Sequence, residues 1–161
     1  NNDDVIFFTD GDIKIQRALS DDEIKQFKNF KDDDVYVGYN ESPTDTLYNE
    51  SLRLGIINSE SDLLKYDLKK IKIYNTGVLA MNKKTWVKLM NQFIELYPVV
   101  NNTFYHYAKQ QWLLSLLINT MGYNVYEMSY DIHNHLHFAK KQLPLKIKPI
   151  TKVFSSSQYI F

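Results

Sequence analysis

The stretch Val5-Ile6-Phe7-Phe8-Thr9-Asp10-Gly11-Asp12 decides how the chain is interpreted. Its apolar run, Val5 to Phe8, predicts a buried strand, and two carboxylates two residues apart follow directly. In open α/β sheets, ligands collect at the carboxyl ends of strands. Asp10 and Asp12 would repel each other there unless a cation offsets their charge, so the stretch predicts a divalent metal site. Asp-Gly is also a common turn pair, and a simple β-turn is the competing interpretation.

Composition predicts one domain over residues 1–161. The chain has 161 residues, is 44% hydrophobic and contains only five glycines and four prolines, which is enough for a single buried core. Lysine plus arginine and aspartate plus glutamate are both 19, so nucleic acid is disfavoured as a partner. Cysteine is absent, which leaves oxygen and imidazole as metal ligands and fits a reducing, cytoplasmic location. No apolar segment reaches the length of a membrane span.

The first half of the chain alternates helical and extended patterns. The segment Ser20–Glu23 forms a capping box and predicts a helix from Asp21 to Phe30. Alternating apolar positions from Val35 to Tyr39 predict a strand. Residues 40–58 are polar and rich in turn formers, which predicts a surface loop with one helical turn.

A second apolar strand carries a polar interruption. Tyr74 to Met81 reads as a strand, but Asn75-Thr76-Gly77 breaks its apolar run. Glycine inside a strand often marks a bulge. Close approach of a ligand to the backbone is the other reason for such a step, and the sequence leaves both open.

The second half predicts two helices and a short strand. Apolar residues from Trp86 to Tyr97 follow helical spacing, and Pro98 is predicted to end this helix. A second helix is predicted from Phe104 to Met121, with Gly122 as its stop, before a short strand at Val125 and Tyr126.

Two groups of polar residues remain to be placed. Gln110 precedes Leu113 and Leu117 by three and seven residues, which predicts that its amide faces inward and needs a partner. His133, His135 and His137 share one face if the segment is extended. Such imidazoles could bind zinc together, or one of them could contribute to a metal site elsewhere.

Taken in order, four motifs resemble the second half of a glycosyltransferase of the GT-A fold, the nucleotide-diphospho-sugar transferase class. The resemblance spans about Asp4 to Lys141. The matching segments are Asp10-Gly11-Asp12, Tyr74 to Met81, Lys109-Gln110-Gln111-Trp112-Leu113-Leu114 and His137-Phe138-Ala139-Lys140-Lys141. The resemblance implies an α/β fold with a mixed sheet flanked by helices, apparently lacking its first βα units. Such a fragment could also come from a protein of the Golgi lumen or one associated with a membrane.

The resemblance also implies roles for particular side chains. It implies that Mn²⁺ or Mg²⁺ is held by Asp10, Asp12 and His137. It implies a substrate-binding set for the donor sugar, the acceptor and the phosphates: Asn75, Thr76, Gly77, Lys140 and Lys141. Gln110 and Gln111 would orient the sugar near the reacting carbon, with Gln110 standing where the family has an acid.

The function implied is transfer of a sugar from a UDP- or GDP-sugar to a glycan, lipid or protein acceptor. Two alternatives stay open. A domain with this fold could bind a glycan or another chain without catalysis, since Gln110 stands where the family has an acid and the nucleotide-binding half is expected to be missing. A zinc-dependent hydrolase could be built from the three histidines and the aspartates.

Overall fold

The computed structural model describes residues 4–11, 13–15, 17–38, 44–53, 66–103, 109–128, 133–134 and 151–153. Seven strands and four helices occur in these ranges. They are, in chain order, β1 (Val5–Thr9), β2 (Ile13–Ile15), α1 (Asp21–Lys28), β3 (Asp34–Gly38), α2 (Leu47–Arg53), β4 (Asn75–Asn82), α3 (Lys83–Thr103), α4 (Lys109–Thr120), β5 (Asn124–Glu127), β6 (His133–Asn134) and β7 (Thr151–Val153).

The main sheet is mixed and has the strand order β1-β4-β3-β5. Strand β4 is antiparallel to both β1 and β3, whereas β3 and β5 are parallel. The strands β1, β3 and β5 therefore end at one edge of the sheet, where β4 begins. A smaller sheet has the order β2-β7-β6.

Side chains of the main sheet alternate between two cores, as the two-residue period of a strand requires. Val35 and Leu79 pack with the helices α2, α3 and α4 on one face. Val78 and Ala80 pack with Phe27 of α1 on the other. Helices thus cover both faces, which confirms an α/β fold with a mixed, helix-flanked sheet.

The predicted capping box of α1 is present. The Ser20 N–H donates to Glu23 Oε2 at 2.7 Å, and the Glu23 N–H donates to Ser20 Oγ at 3.4 Å. Arg17 adds two bonds to the same carboxylate, at 2.7 and 2.8 Å. The hydrogen bonds from Arg17, helped by those from Ser20, lower the pKa of Glu23 to about 2. The helix ends at Lys28, slightly before the predicted Phe30.

Helix α3 is longer than predicted. It starts directly after β4, with Asn82 as its N-cap, because Asn82 Oδ1 accepts the Thr85 N–H at 2.8 Å. Pro98 was expected to end it, and that prediction is wrong, since the helix runs on to Thr103. Proline removes the bond to the carbonyl four residues earlier. That residue, Ile94, is 68% exposed, so water can reach the carbonyl, while the fully buried Val100 anchors the following turn.

The structure differs from two further predictions about which residues are buried. Residues 40–58 were expected at the surface, but Leu47 and Ser51 of α2 are fully buried. The apolar positions of β1 are only half-buried, because among the described strands β1 pairs with β4 alone. The predicted strand at Val125 is present as β5, and Gly122 ends α4 with φ of +76°.

Candidate functional site

Asp10 lies at the edge where β1, β3 and β5 end. Its N–H donates to the Gly77 carbonyl at 2.9 Å, one residue beyond the last β1–β4 pair, Thr9 and Val78. Its carbonyl accepts the Ile13 N–H at 3.1 Å, so the chain turns here, as Asp-Gly predicted. The acidic residue is exposed at the strand end, and the turn holds its backbone in place.

The Asn75–Gly77 step is a bulge in β4. Val37 of β3 pairs with Leu79, but the next residue, Gly38, pairs with Asn75. Residues 76–78 of β4 therefore have no counterpart on β3, which confirms the predicted irregularity. The Asn75 side chain stabilises the bulge, because its Oδ1 accepts the Gly77 N–H at 3.1 Å.

The space around Gly77 is tight. A Cβ at this position would lie 3.3 Å from both Asp10 Oδ2 and Asn75 Oδ1, and 3.5 Å from Ile13 Cδ1. Its φ is not positive, so conformation does not explain the glycine. The carboxylate of Asp10 and the amide oxygen of Asn75 thus border the same point. Two predicted site segments therefore meet here, although Asp10 and Gly77 are 67 residues apart in the sequence.

Helix α4 carries a polar strip made of Gln111, Ser115 and Asn119, which share one face at four-residue spacing. The Tyr74 N–H donates to Ser115 Oγ at 3.0 Å, and Asn119 Nδ2 donates to the Lys72 carbonyl at 2.9 Å. Four helical residues advance roughly 6 Å, and two strand residues advance roughly 6.7 Å. If this progression continues, Gln111 is expected at the level of residue 76.

The two predicted glutamines differ in their surroundings. Gln111 is half-buried, and its amide makes no hydrogen bond to another described residue. Gln110 is exposed, so the prediction that it faces inward is wrong. Helix α4 is buried around its whole circumference from Trp112 to Ile118. Sharing a face with buried leucines therefore does not decide which way an earlier residue points.

Several predicted site residues lie outside the described part of the chain. They are Asp12, His135, His137, Lys140 and Lys141. His133 is in an extended segment as predicted, paired in parallel with Thr151. Within the described residues, no three acidic or histidine side chains are close enough together to hold a metal ion. The complete metal site therefore stays a prediction, and Asp10 is its described member.

Sequence reasoning missed Ser115 and Asn119. Ser115 is fully buried and Asn119 half-buried, in a helix whose neighbouring positions are leucine, isoleucine and tryptophan. The signal was available, since polar residues recurring every four positions in an apolar helix mark one face. A buried polar side chain needs a partner. Here the partner is the backbone that leads into β4.

At the sheet edge where β5 ends, Lys72 forms an ion pair with Glu127, the last residue of β5. Burial, together with the Glu127 charge, raises the pKa of Tyr74.

Among the described residues, none of the helices combines the length and the hydropathy that a membrane crossing requires. No protein-family model matches the sequence, and no curated protein is significantly similar to it.

Proposed function

We propose that this protein is a metal-dependent glycosyltransferase of the GT-A type, which moves a sugar from a nucleoside diphosphate sugar to a glycan, lipid or protein acceptor. The observation that carries the proposal is the meeting of Asp10 with the Asn75–Gly77 bulge around one glycine. The acidic turn and the polar strand step came from separate motifs, and their contact supports one shared binding site.

The donor set fits a hard divalent cation. Carboxylate oxygens suit Mg²⁺ and Mn²⁺, and Asp10, the described member of the proposed ligand set, is exposed at the strand end. In the proposal, Asp10, Asp12 and His137 hold Mn²⁺ or Mg²⁺. When bound, the ion supplies Lewis-acid neutralisation of the charge on the departing diphosphate.

The roles of Asn75, Gly77 and Gln111 follow from their position in the structure, and those of Lys140 and Lys141 from the resemblance alone. Asn75 and Gly77, which are half-buried, contact the donor sugar or the acceptor. Thr76 was predicted to do the same, but it is only 4% exposed, so its side chain supports the segment from inside. Gln111 is the better placed of the two glutamines, because it is half-buried on the helix face of Ser115 and Asn119, whereas Gln110 is exposed. Its amide can donate and accept hydrogen bonds with sugar hydroxyls and hold the ring in one orientation. Lys140 and Lys141 add positive charge against the diphosphate.

Calorimetric titration tests the proposal directly. Mn²⁺ is titrated first, and a panel of UDP- and GDP-sugars follows with and without the metal. Heat that requires both components supports the proposal, and Asp10→Asn should abolish it. Asp22→Asn is the control, because Asp22 is an acid on α1 whose side chain is 94% exposed.

The alternatives predict other results. A non-catalytic domain that keeps this fold gives no metal-dependent heat with any sugar nucleotide. A zinc hydrolase gives stoichiometric, tightly held zinc on elemental analysis of the purified protein. Donor hydrolysis at the wild-type rate in a protein carrying both Asp10→Asn and Asp12→Asn would contradict the proposed metal role.

A further inference from the structure

The segment that leads into the bulge is held by side chains of α4. Ser115 Oγ accepts the Tyr74 N–H at 3.0 Å, and Asn119 Nδ2 donates to the Lys72 carbonyl at 2.9 Å. The Tyr74 hydroxyl donates in return to Asn119 Oδ1 at 3.4 Å. The backbone one and three residues before Asn75 is thus tied to one helix face.

The two side chains are themselves fixed. Asn119 Nδ2 also donates to the Ser115 carbonyl at 2.6 Å, which sets the orientation of the amide. Ser115 is fully buried, so its hydroxyl is shielded from water and bonds within the protein. Buried, satisfied polar groups of this kind hold a segment in a defined position. Within the bulge, the Gly77 N–H donates to Asn75 Oδ1, and the Gly77 carbonyl accepts the Asp10 N–H.

We propose that Ser115 and Asn119 are positioning residues for the Asn75–Gly77 binding segment. The inference rests on the proposed function and adds two residues to it. They contact no ligand. They fix where β4 starts, and so they fix the distance between the Asn75 amide and the Asp10 carboxylate. Gln111, the third member of the polar strip, is left to meet the ligand.

Hydrogen exchange followed by NMR tests the mechanical part. In Ser115→Ala, the Gly77 amide should exchange about tenfold faster relative to the Leu79 amide, because a local anchor is lost while the rest of β4 stays paired. Asn119→Ala should change the same ratio in the same direction.

Binding of Mn²⁺ alone is the second readout. Its dissociation constant should rise about tenfold in Ser115→Ala, because the Gly77 carbonyl accepts the Asp10 N–H and a displaced bulge would move this metal ligand. Tenfold is the lower end of what loss of a supporting contact costs a metal site. Ser51→Ala is the matched control, because Ser51 is another fully buried serine bonded to α4 but distant in sequence from β4. It should lower stability without changing the Gly77 to Leu79 ratio or Mn²⁺ binding.

The outcomes separate this inference from the proposed function. An unchanged exchange ratio in both Ser115→Ala and Asn119→Ala overturns the positioning role. So does a ratio that Ser51→Ala changes as strongly, since the effect would then be general destabilisation. Failure of the wild-type protein to bind Mn²⁺ contradicts the proposed function instead, and the ratio still decides whether the strip anchors this segment.

Discussion

Trp112 donates its indole N–H to Ser51 Oγ at 2.9 Å, and this bond joins α4 to α2 inside the main core. Both residues are fully buried, and the serine hydroxyl donates in turn to the Leu47 carbonyl at 2.6 Å. The Trp112 bond therefore attaches α2 to α4, and the bond from Ser51 to the Leu47 carbonyl, which lies within α2, fixes the orientation of the hydroxyl that accepts it.

Ser51→Ala should destabilise the protein by about 1–2 kcal/mol, because it removes a hydroxyl that both accepts and donates in the core. Urea unfolding at neutral pH measures the change. Ser51→Thr keeps the hydroxyl and serves as the matched variant. A midpoint for Ser51→Ala equal to that of the wild type would mean that this connection contributes nothing to stability.

Tyr123→Phe should stabilise the protein by up to about 1 kcal/mol, because it removes a buried hydroxyl whose desolvation is not repaid. Tyr123 Oη is buried and has no hydrogen-bond partner within the described ranges. Burial, with the nearby Asp33 charge, raises the pKa of Tyr123 to about 12. Thermal unfolding provides the measurement, and Tyr126→Phe, at a position 44% exposed, should leave the midpoint unchanged. A lower midpoint for Tyr123→Phe would contradict the argument.

Glu23 makes stability depend on acid pH. Its pKa falls from 4.5 to about 2 on folding, so the stabilisation is present above pH 4.5 and is lost as the pH falls toward 2. Glu23→Gln should lower the free energy of unfolding by about 1–2 kcal/mol at pH 7. The difference from the wild type should shrink as the pH is lowered through this window. A difference independent of pH would show that the charge of Glu23 is not responsible.

Gly77→Ala should lower the affinity for Mn²⁺ while it lowers the free energy of unfolding only slightly. The added methyl would press on oxygens of Asp10 and Asn75 at 3.3 Å, and both are side-chain ends that can move. We expect a stability loss below about 1 kcal/mol, since φ is compatible with alanine. Ser51→Ala is the control, because it should lower stability without contacting Asp10 or Asn75. Equal effects of both substitutions on Mn²⁺ affinity would argue against the arrangement described for Gly77.

Local patterns predicted the elements of the fold well where one chemical rule decides the outcome. The capping box at Ser20, the stop at Gly122 and the bulge at Gly77 each follow from the properties of a few neighbouring residues. Tertiary contacts decided the rest. Pro98 is tolerated because its helix is anchored beyond it, and Gln110 is exposed because the burial of α4 starts only at Trp112.

The site was predicted in part for the same reason. Asp10 and Gly77 were each singled out by a local pattern, but their contact depends on the antiparallel pairing of β1 with β4. The anchoring role of Ser115 depends on how α4 lies along the start of that strand. Such relationships between distant segments require the strand order and the helix direction, which a single sequence does not specify.

Strand β4 passes directly into α3 without a connecting loop, so the number of residues at this junction is fixed. Asn82 is both the last residue of the strand and the cap of the helix, so no residue can be added without turning the helix. One inserted residue would rotate the buried face of α3 by about 100° relative to the strand. Length variation in this protein should therefore be excluded at the Asn82–Lys83 junction, even where substitutions are accepted on either side.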